Sequence, residues 1–226
     1  MSRGDAPGPD AALLDVTRAL AAGHPNWPGD VALEFGIGAR IADGDAVNVG
    51  SIRTSLHAGT HVDAPWHYDD GGVRLGAVDL RRLVGEALVL DVAAGEGPVT
   101  AAALAAALED VDAAPTALPP RVLLHTGEPD TWGTTFPVGF RPLDPGAIDW
   151  LAEHGVRLIG TDAPSVDPLT SKDLPAHRAC AAHDLTIVEG LALARIAPGR
   201  YELICLPLSL PDADASPARV LLRPLA

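Results

Sequence analysis

Sulfur is scarce in this chain of 226 residues: Cys180 and Cys205 are its only cysteines. Two are too few for a disulfide scaffold, and they lack the CxxC spacing of a zinc ribbon or redox dithiol. Basic residues are scarce as well, 16 Lys and Arg against 30 Asp and Glu for a net charge of −14. The far field therefore repels phosphate backbones and anionic lipid, so neither nucleic acid nor a membrane surface is expected as a partner. No apolar run approaches the ~18 residues that cross a bilayer, and the opening MSRGDAPGPDAA has no apolar core of a signal peptide, so the expectation is a soluble, cytoplasmic protein. No internal repeat appears, and the 21 prolines and 23 glycines are spread through the chain instead of forming a linker. One domain over residues 13–226, behind a disordered N-terminal tail of residues 1–12, is the expected organisation.

Segments rich in Val, Ile and Leu at 31–41, 46–56, 86–93, 121–127, 156–162, 201–208 and 218–225 predict the strands of a sizeable sheet. Two helices are predicted between them. TAAALAAALEDV starts at Thr100 as cap, and DPGAIDWLAEHG has Asp144 as cap, Pro145 at the first position and Gly155 as stop. The class is mixed α/β.

The densest chemistry lies in HAGTHVDAPWH, residues 57–67, where His57, His61, Asp63 and His67 fall within eleven positions. Gly59, Pro65 and the β-branched Thr60 and Val62 argue against a helix, which predicts a strand end running into a loop. All four groups have odd numbers, so an extended chain would turn them to one face. Four residues at ~3.3 Å each would nevertheless hold His57 and His61 ~13 Å apart, too far to share one ion, so the chain must bend, and Gly59 is the place for it. An HExxH zinc helix is excluded because Ala58 stands where the Glu would be. Four such groups at one strand end point to a metal site rather than to ordinary polar loop residues. A second dense region, SKDLPAHRACAAHDLTIVEGL, offers His177, His183 and Glu189, each a weak signal by itself.

HAGTHVDAPWH resembles the HxGTHxDxPxH signature of the cyclase-like metal-dependent hydrolase family, to which the bacterial kynurenine formamidases belong. NWPGD around Trp27, GTDAPSVDP, VEGL, YELICLPL and DASPAR are similar to segments of those enzymes in the same order, from about residue 13 onward. The resemblance implies a swivelling β/β/α fold with a mixed sheet and flanking helices, a homodimer, and two divalent metal ions per subunit, usually Zn²⁺ with Mn²⁺ as the alternative. It assigns His57, His61 and Asp63 to the first group of ligands and His177 and Glu189, twelve residues apart, to the second, with Asp63 and Glu189 bridging. It further makes His67 the catalytic acid/base and Trp27 the aromatic that contacts substrate, and it leaves His183 without a role.

The activity implied is hydrolysis of N-formyl-L-kynurenine to L-kynurenine and formate in tryptophan degradation. Imidazoles and carboxylates suit Zn²⁺ or Mn²⁺, and a metal-bound hydroxide at neutral pH fits the absence of a GxSxG nucleophile elbow. Two alternatives stand beside it. One is a sister hydrolase opening a cyclic amide such as isatin, or acting on another small amide or ester. The other is a non-catalytic, metal-stabilised module, which an open and cysteine-free ligand set counts against. Ser165, between Asp162 and Asp167, lacks the context of a nucleophile, and DAPSVDP is expected only to line a pocket.

Overall fold

The structure is a computed structural model that describes residues 12–111 and 117–225. Except for Ala12, the tail expected over residues 1–12 lies outside the described residues. In chain order the strands are β1 (Leu14–Asp15), β2 (Glu34–Ala39), β3 (Val49–Arg53), β4 (His61–Asp63), β5 (Val84–Asp91), β6 (Arg121–His125), β7 (Leu158–Thr161), β8 (Thr186–Glu189), β9 (Gly199–Pro207) and β10 (Ala215–Pro224). Three helices, α1 (Ala101–Glu109), α2 (Pro145–Glu153) and α3 (Pro175–Ala182), fill the crossovers from β5 to β8.

Eight strands form one mixed sheet in the order β1-β10-β4-β8-β7-β6-β5-β9, and β9 pairs again with β10, so the sheet closes into a barrel. Strands β5 to β8 run parallel to one another, and β4, β9 and β10 complete the ring in antiparallel pairings. Strands covered on both faces need apolar residues at every position, which is why the parallel ones read as unbroken apolar runs. Side-chain alternation divides them: Leu88, Leu90, Val122, Leu124, Ile159 and Ile187 pack under the helices. Their neighbours Val89, Leu123, Leu158 and Val188 fill the barrel with Leu203, Cys205, Val220 and Leu222. The expected single-domain α/β architecture, with a mixed sheet and flanking helices, is what the chain adopts.

Both predicted helices form at their predicted caps. Thr100 accepts from the Ala103 N–H at 3.3 Å, Asp144 accepts from Gly146 N–H at 2.8 Å, and Gly155 ends the second helix at φ +86°. Helix α3 was absent from the sequence expectations because it has no local cap: Leu174 at its start is left-handed, at φ +46°. Asp167 supplies the cap from a distance, accepting from the N–H groups of Ala176 and His177 at 3.0 Å each. Two of the predicted strands, 31–41 and 46–56, shorten to β2 and β3, which pair only with each other as a hairpin outside the barrel.

Candidate active site

Strand β3 ends at Arg53 and runs into the loop that carries His57, as expected, but a further short strand follows. Residues 55–60 turn, β4 follows as a three-residue strand in the middle of the sheet, and a 3₁₀ turn at Pro65–His67 ends it. The expected bend falls at Gly59, at φ +63°, a left-handed conformation that glycine adopts without strain. Gly190, also left-handed, packs so closely on the Gly59 carbonyl that a Cβ there would collide with it. The fold thus uses two glycines to press the β4 turn against the end of β8.

Strand β4 lies antiparallel to β8 with His61 opposite Glu189 and Asp63 opposite Ile187. Residues opposite one another share a face, and so do residues two apart. His61, Asp63 and Glu189 therefore face the side where Ile187 packs under the helices, while Val62 and Val188 face the barrel. His177 on α3 is buried against that side, and the turn at Gly59 adds His57 from one end. Asp63 is the centre of the group. Its Oδ1 lies 3.1 Å from His57 Nδ1 and 3.4 Å from His61 Nε2, and its Oδ2 lies 3.5 Å from His177 Nε2. Glu189 divides in the same way, with Oε2 3.3 Å from His61 Nε2 and Oε1 3.7 Å from His177 Nε2.

Each imidazole is held by its other nitrogen. His57 Nε2 lies 3.1 Å from Asp214 Oδ2, His61 Nδ1 lies 3.0 Å from the Gly59 carbonyl oxygen, and His177 Nδ1 lies 2.8 Å from Asp167 Oδ2. These acceptors fix the donating nitrogen and leave the opposite one for a ligand, the arrangement of metal-binding histidines supported by outer acceptors. Both oxygens of Asp63, His61 Nε2 and His177 Nε2 are buried without a hydrogen-bond partner. Buried polar atoms left unpaired cost ~1–3 kcal/mol each, so four within one cluster fit bound cations. The donor set, nitrogen and carboxylate oxygen without sulfur, fits zinc or manganese. Ligand atoms of His57, Asp63 and His67, and again of His61, Asp63 and Glu189, lie within 4.8 Å of one another.

Electrostatics agree with the geometry. Burial alone would lower the three imidazoles, but the carboxylates outweigh it. Asp214 and Asp63 raise His57 to about 9, Asp63 and Glu189 raise His61 to about 10, and Asp167 and Asp63 raise His177 to about 10. Burial opposes the charge of Asp63, yet His177, His57 and His61 hold it well below the usual carboxylate range. His67 behaves differently: burial lowers it, with His57 and His177 adding to the effect and Asp63 and Glu189 opposing.

A cavity of about 440 Å³ opens over this cluster. His57, His61, His67, His177 and Glu189 form its floor, and His67 stands at the edge with 32 % of its side chain exposed, its ring centroid 4.0 Å from that of His57. Trp27 also lines the cavity, edge-on to Phe136 at 5.4 Å, with Trp132 6.0 Å from Phe136. The structure thus brings together His57, His61, Asp63, His67, His177, Glu189 and Trp27. His183 is remote, paired with Asp149 on α2 at 2.7 Å. Ser165 lines the cavity as the DAPSVDP segment was expected to, at the carboxyl end of β7 where α/β sheets place ligands.

Four contributors carried no assigned role in the sequence. Asp214, within DASPAR, and Asp167, within DAPSVDP, act through a histidine rather than on a ligand, so no spacing rule reveals them. WGTTFP, a segment that could line the site but carries no motif, supplies Trp132 and Phe136. Their signal was composition, since the chain has only four Trp and three Phe and three of these seven line one cavity.

Residues 14–168 match the family described as "Putative cyclase". The kynurenine formamidase of Erythrobacter litoralis (strain HTCC2594) is 40 % identical over 216 residues, covering 94 % of each chain. A solved structure of a potential metal-dependent hydrolase with cyclase activity superposes with TM-score 0.76 at 27 % identity, covering 93 % of this chain and 96 % of that one. Isatin hydrolase A from Labrenzia aggregata, bound to benzyl benzoate, gives TM-score 0.81 at 22 % identity, covering 96 % and 94 %, and shares the fold.

Proposed function

This chain belongs to the cyclase family, and from that premise we propose that it is a metal-dependent amide hydrolase converting N-formyl-L-kynurenine to L-kynurenine and formate in tryptophan degradation. The observation that carries the metal-dependent chemistry is the cluster of four buried, unpartnered polar atoms of His61, Asp63 and His177. The substrate follows the 40 % identical kynurenine formamidase. The alternative of a sister hydrolase acting on a cyclic amide has support from fold alone.

His57, His61, Asp63, His177 and Glu189 would hold two divalent cations. The Asp63 and Glu189 oxygens divide between the His57/His61 side and the His177 side, which supports room for two cations in this cluster. Zinc is the proposed metal, with manganese the alternative the donors also allow. When bound, such ions lower the pKa of coordinated water towards ~7 and stabilise negative charge on the carbonyl oxygen.

The remaining work falls to the chain. Trp27, Phe136 and Trp132 form an aromatic wall against which the aryl ring of the substrate can stack, leaving the formyl group over the histidine floor. An anilide nitrogen leaves poorly unless it gains a proton. His67, whose basicity burial lowers, would accept the proton shed by the attacking water and return it to that nitrogen as the C–N bond breaks, a role worth ~10²- to 10⁴-fold.

The proposed assembly is a homodimer. On the β2–β3 hairpin Phe35 is paired with Ile52 and Ile37 with Gly50, so Phe35, Ile37 and Ile52 share one face, exposed by 54 %, 58 % and 54 %. Glu34 and Arg53, one residue along each strand, pair on the other face, and an exposed apolar face of this kind is a surface a second copy covers. The proposed compartment is the cytoplasm, supported by two buried free thiols. No helix among the described residues is long and apolar enough to cross a membrane.

The deciding experiment follows kynurenine release from N-formyl-L-kynurenine by zinc-loaded protein, beside a chelator-treated sample and an isatin control. Fast, chelator-sensitive deformylation with little isatin opening is the expected result; the reverse preference would transfer the function to lactam hydrolysis.

A further inference from the structure

Trp27 and Asp30 are the two ends of one tight turn. The Asp30 N–H donates to the Trp27 carbonyl at 2.9 Å across Pro28 and Gly29, with Gly29 at φ +99°, the Pro-Gly order of a type II turn. Both side chains line the cavity. Asp30 is fixed further by Ser55, whose hydroxyl donates to Asp30 Oδ2 at 2.6 Å and accepts from the His57 N–H at 3.3 Å. A carboxylate is therefore tied on one side to the aromatic wall and on the other to the loop that presents a candidate ligand.

Away from the histidine cluster, the charges around the cavity are one-sided. Among the described residues lining it there is no Lys or Arg, and the carboxylates are Asp30, Glu189 and Asp214. Glu189 and Asp214 already face imidazoles, whereas Asp30 is opposed only by a neutral hydroxyl. Its negative charge is the one left uncompensated on the wall beside Trp27. The substrate proposed above carries an ammonium and a carboxylate on one carbon, separated from its aryl ring by a ketone and a methylene. Beside Trp27 this wall answers the ammonium, and the lining holds no Lys or Arg for the carboxylate.

We propose that Asp30 is the specificity determinant of this cavity, receiving the substrate's ammonium, and that the site deformylates aryl formamides bearing an aminoalkyl side chain whether or not a carboxylate accompanies it. The decarboxylated amine is then a further substrate. In either case water adds to the formyl carbon, the carbon–nitrogen bond breaks, and formate leaves with the free aniline. The proposal rests on the formamidase reading.

The test uses zinc-loaded enzyme and three substrates: N-formyl-L-kynurenine, its decarboxylated amine, and the propanoic acid that lacks the amino group. The amine is expected to keep kcat/KM within about threefold of the parent. The acid is expected to fall by ~10- to 100-fold, mostly through KM, the range of one hydrogen bond to a charged group. Asp30→Asn should depress the two ammonium substrates about 10-fold or more beyond any effect on the acid, and Asp30→Glu should restore part of the preference. A wild-type enzyme that turns over the acid well and the amine poorly overturns the proposal while leaving the formamidase reading intact. An Asp30→Asn loss equal across all three substrates also overturns it. Absence of turnover on all three would instead defeat the formamidase reading itself.

Discussion

His61 on β4 and Glu189 on β8 stand opposite each other in antiparallel register, with His61 Nε2 3.3 Å from Glu189 Oε2. Two strands remote in sequence are thereby fixed to one residue, and a slip of one position would turn Glu189 to the barrel side. The cluster is thus as rigid as the sheet that carries it, apart from His57 on its turn and His177 on α3.

Asp63 touches all three imidazoles and is fully buried. Asp63→Ala is therefore expected to lose bound metal as well as activity, with affinity falling ~100-fold or more. Metal analysis after dialysis checks this, and full occupancy in the variant would remove Asp63 from the ligand set.

His67 has a separate expectation. It stands at the edge of the cavity, 3.8 Å from Asp214, and meets the floor through the His57 ring. His67→Ala should retain metal while kcat drops ~10²- to 10⁴-fold. Turnover close to that of the unaltered enzyme, at normal metal content, would end its role as acid/base.

Asp167 links two functions, accepting from His177 Nδ1 and capping α3. Asp167→Asn keeps the size but weakens both. A ~10- to 100-fold loss of metal affinity is expected together with ~1 kcal/mol of stability. Titration with a chromophoric chelator measures the first and thermal unfolding the second; a stability loss with unchanged affinity would reduce Asp167 to a cap.

How much of this was legible in the sequence depended on whether the cause was local. Helices α1 and α2 were legible because Thr100, Asp144 and Pro145 cap them from adjacent positions. Helix α3 was not, because Asp167 caps it across a loop. Likewise β6 was readable as an apolar run, whereas β4 is three residues long and becomes a strand only through its pairing with β8 and β10. The same division applies to the site. His57, His61, Asp63 and His67 announced themselves by spacing, and His177 and Glu189 came only through family resemblance. Asp214, Asp167 and Phe136 depend on tertiary contacts that no spacing encodes.

The hairpin offers a prediction about assembly. Ile37→Lys together with Ile52→Lys places charge on the apolar face of β2–β3 and should convert the proposed dimer to a monomer in light scattering. A dimer that survives both changes would place its interface elsewhere.

The last expectation concerns protons. Without metal, His57 is raised to about 9 and His61 and His177 to about 10, so at pH 7 all three imidazoles are charged. Groups raised above their unfolded value of ~6.5 contribute stability that is fully present below that pH and lost as pH rises through about 9 to 10. Metal ligation demands neutral imidazoles. Loading zinc at pH 7 should therefore expel protons, and affinity should strengthen as pH rises from 6 to 9. Calorimetry in two buffers of different ionisation enthalpy reads the release directly, as a difference in apparent heat. Identical heats in both buffers would mean that the imidazoles are already neutral, and that the carboxylates hold the empty cluster less tightly than their distances indicate.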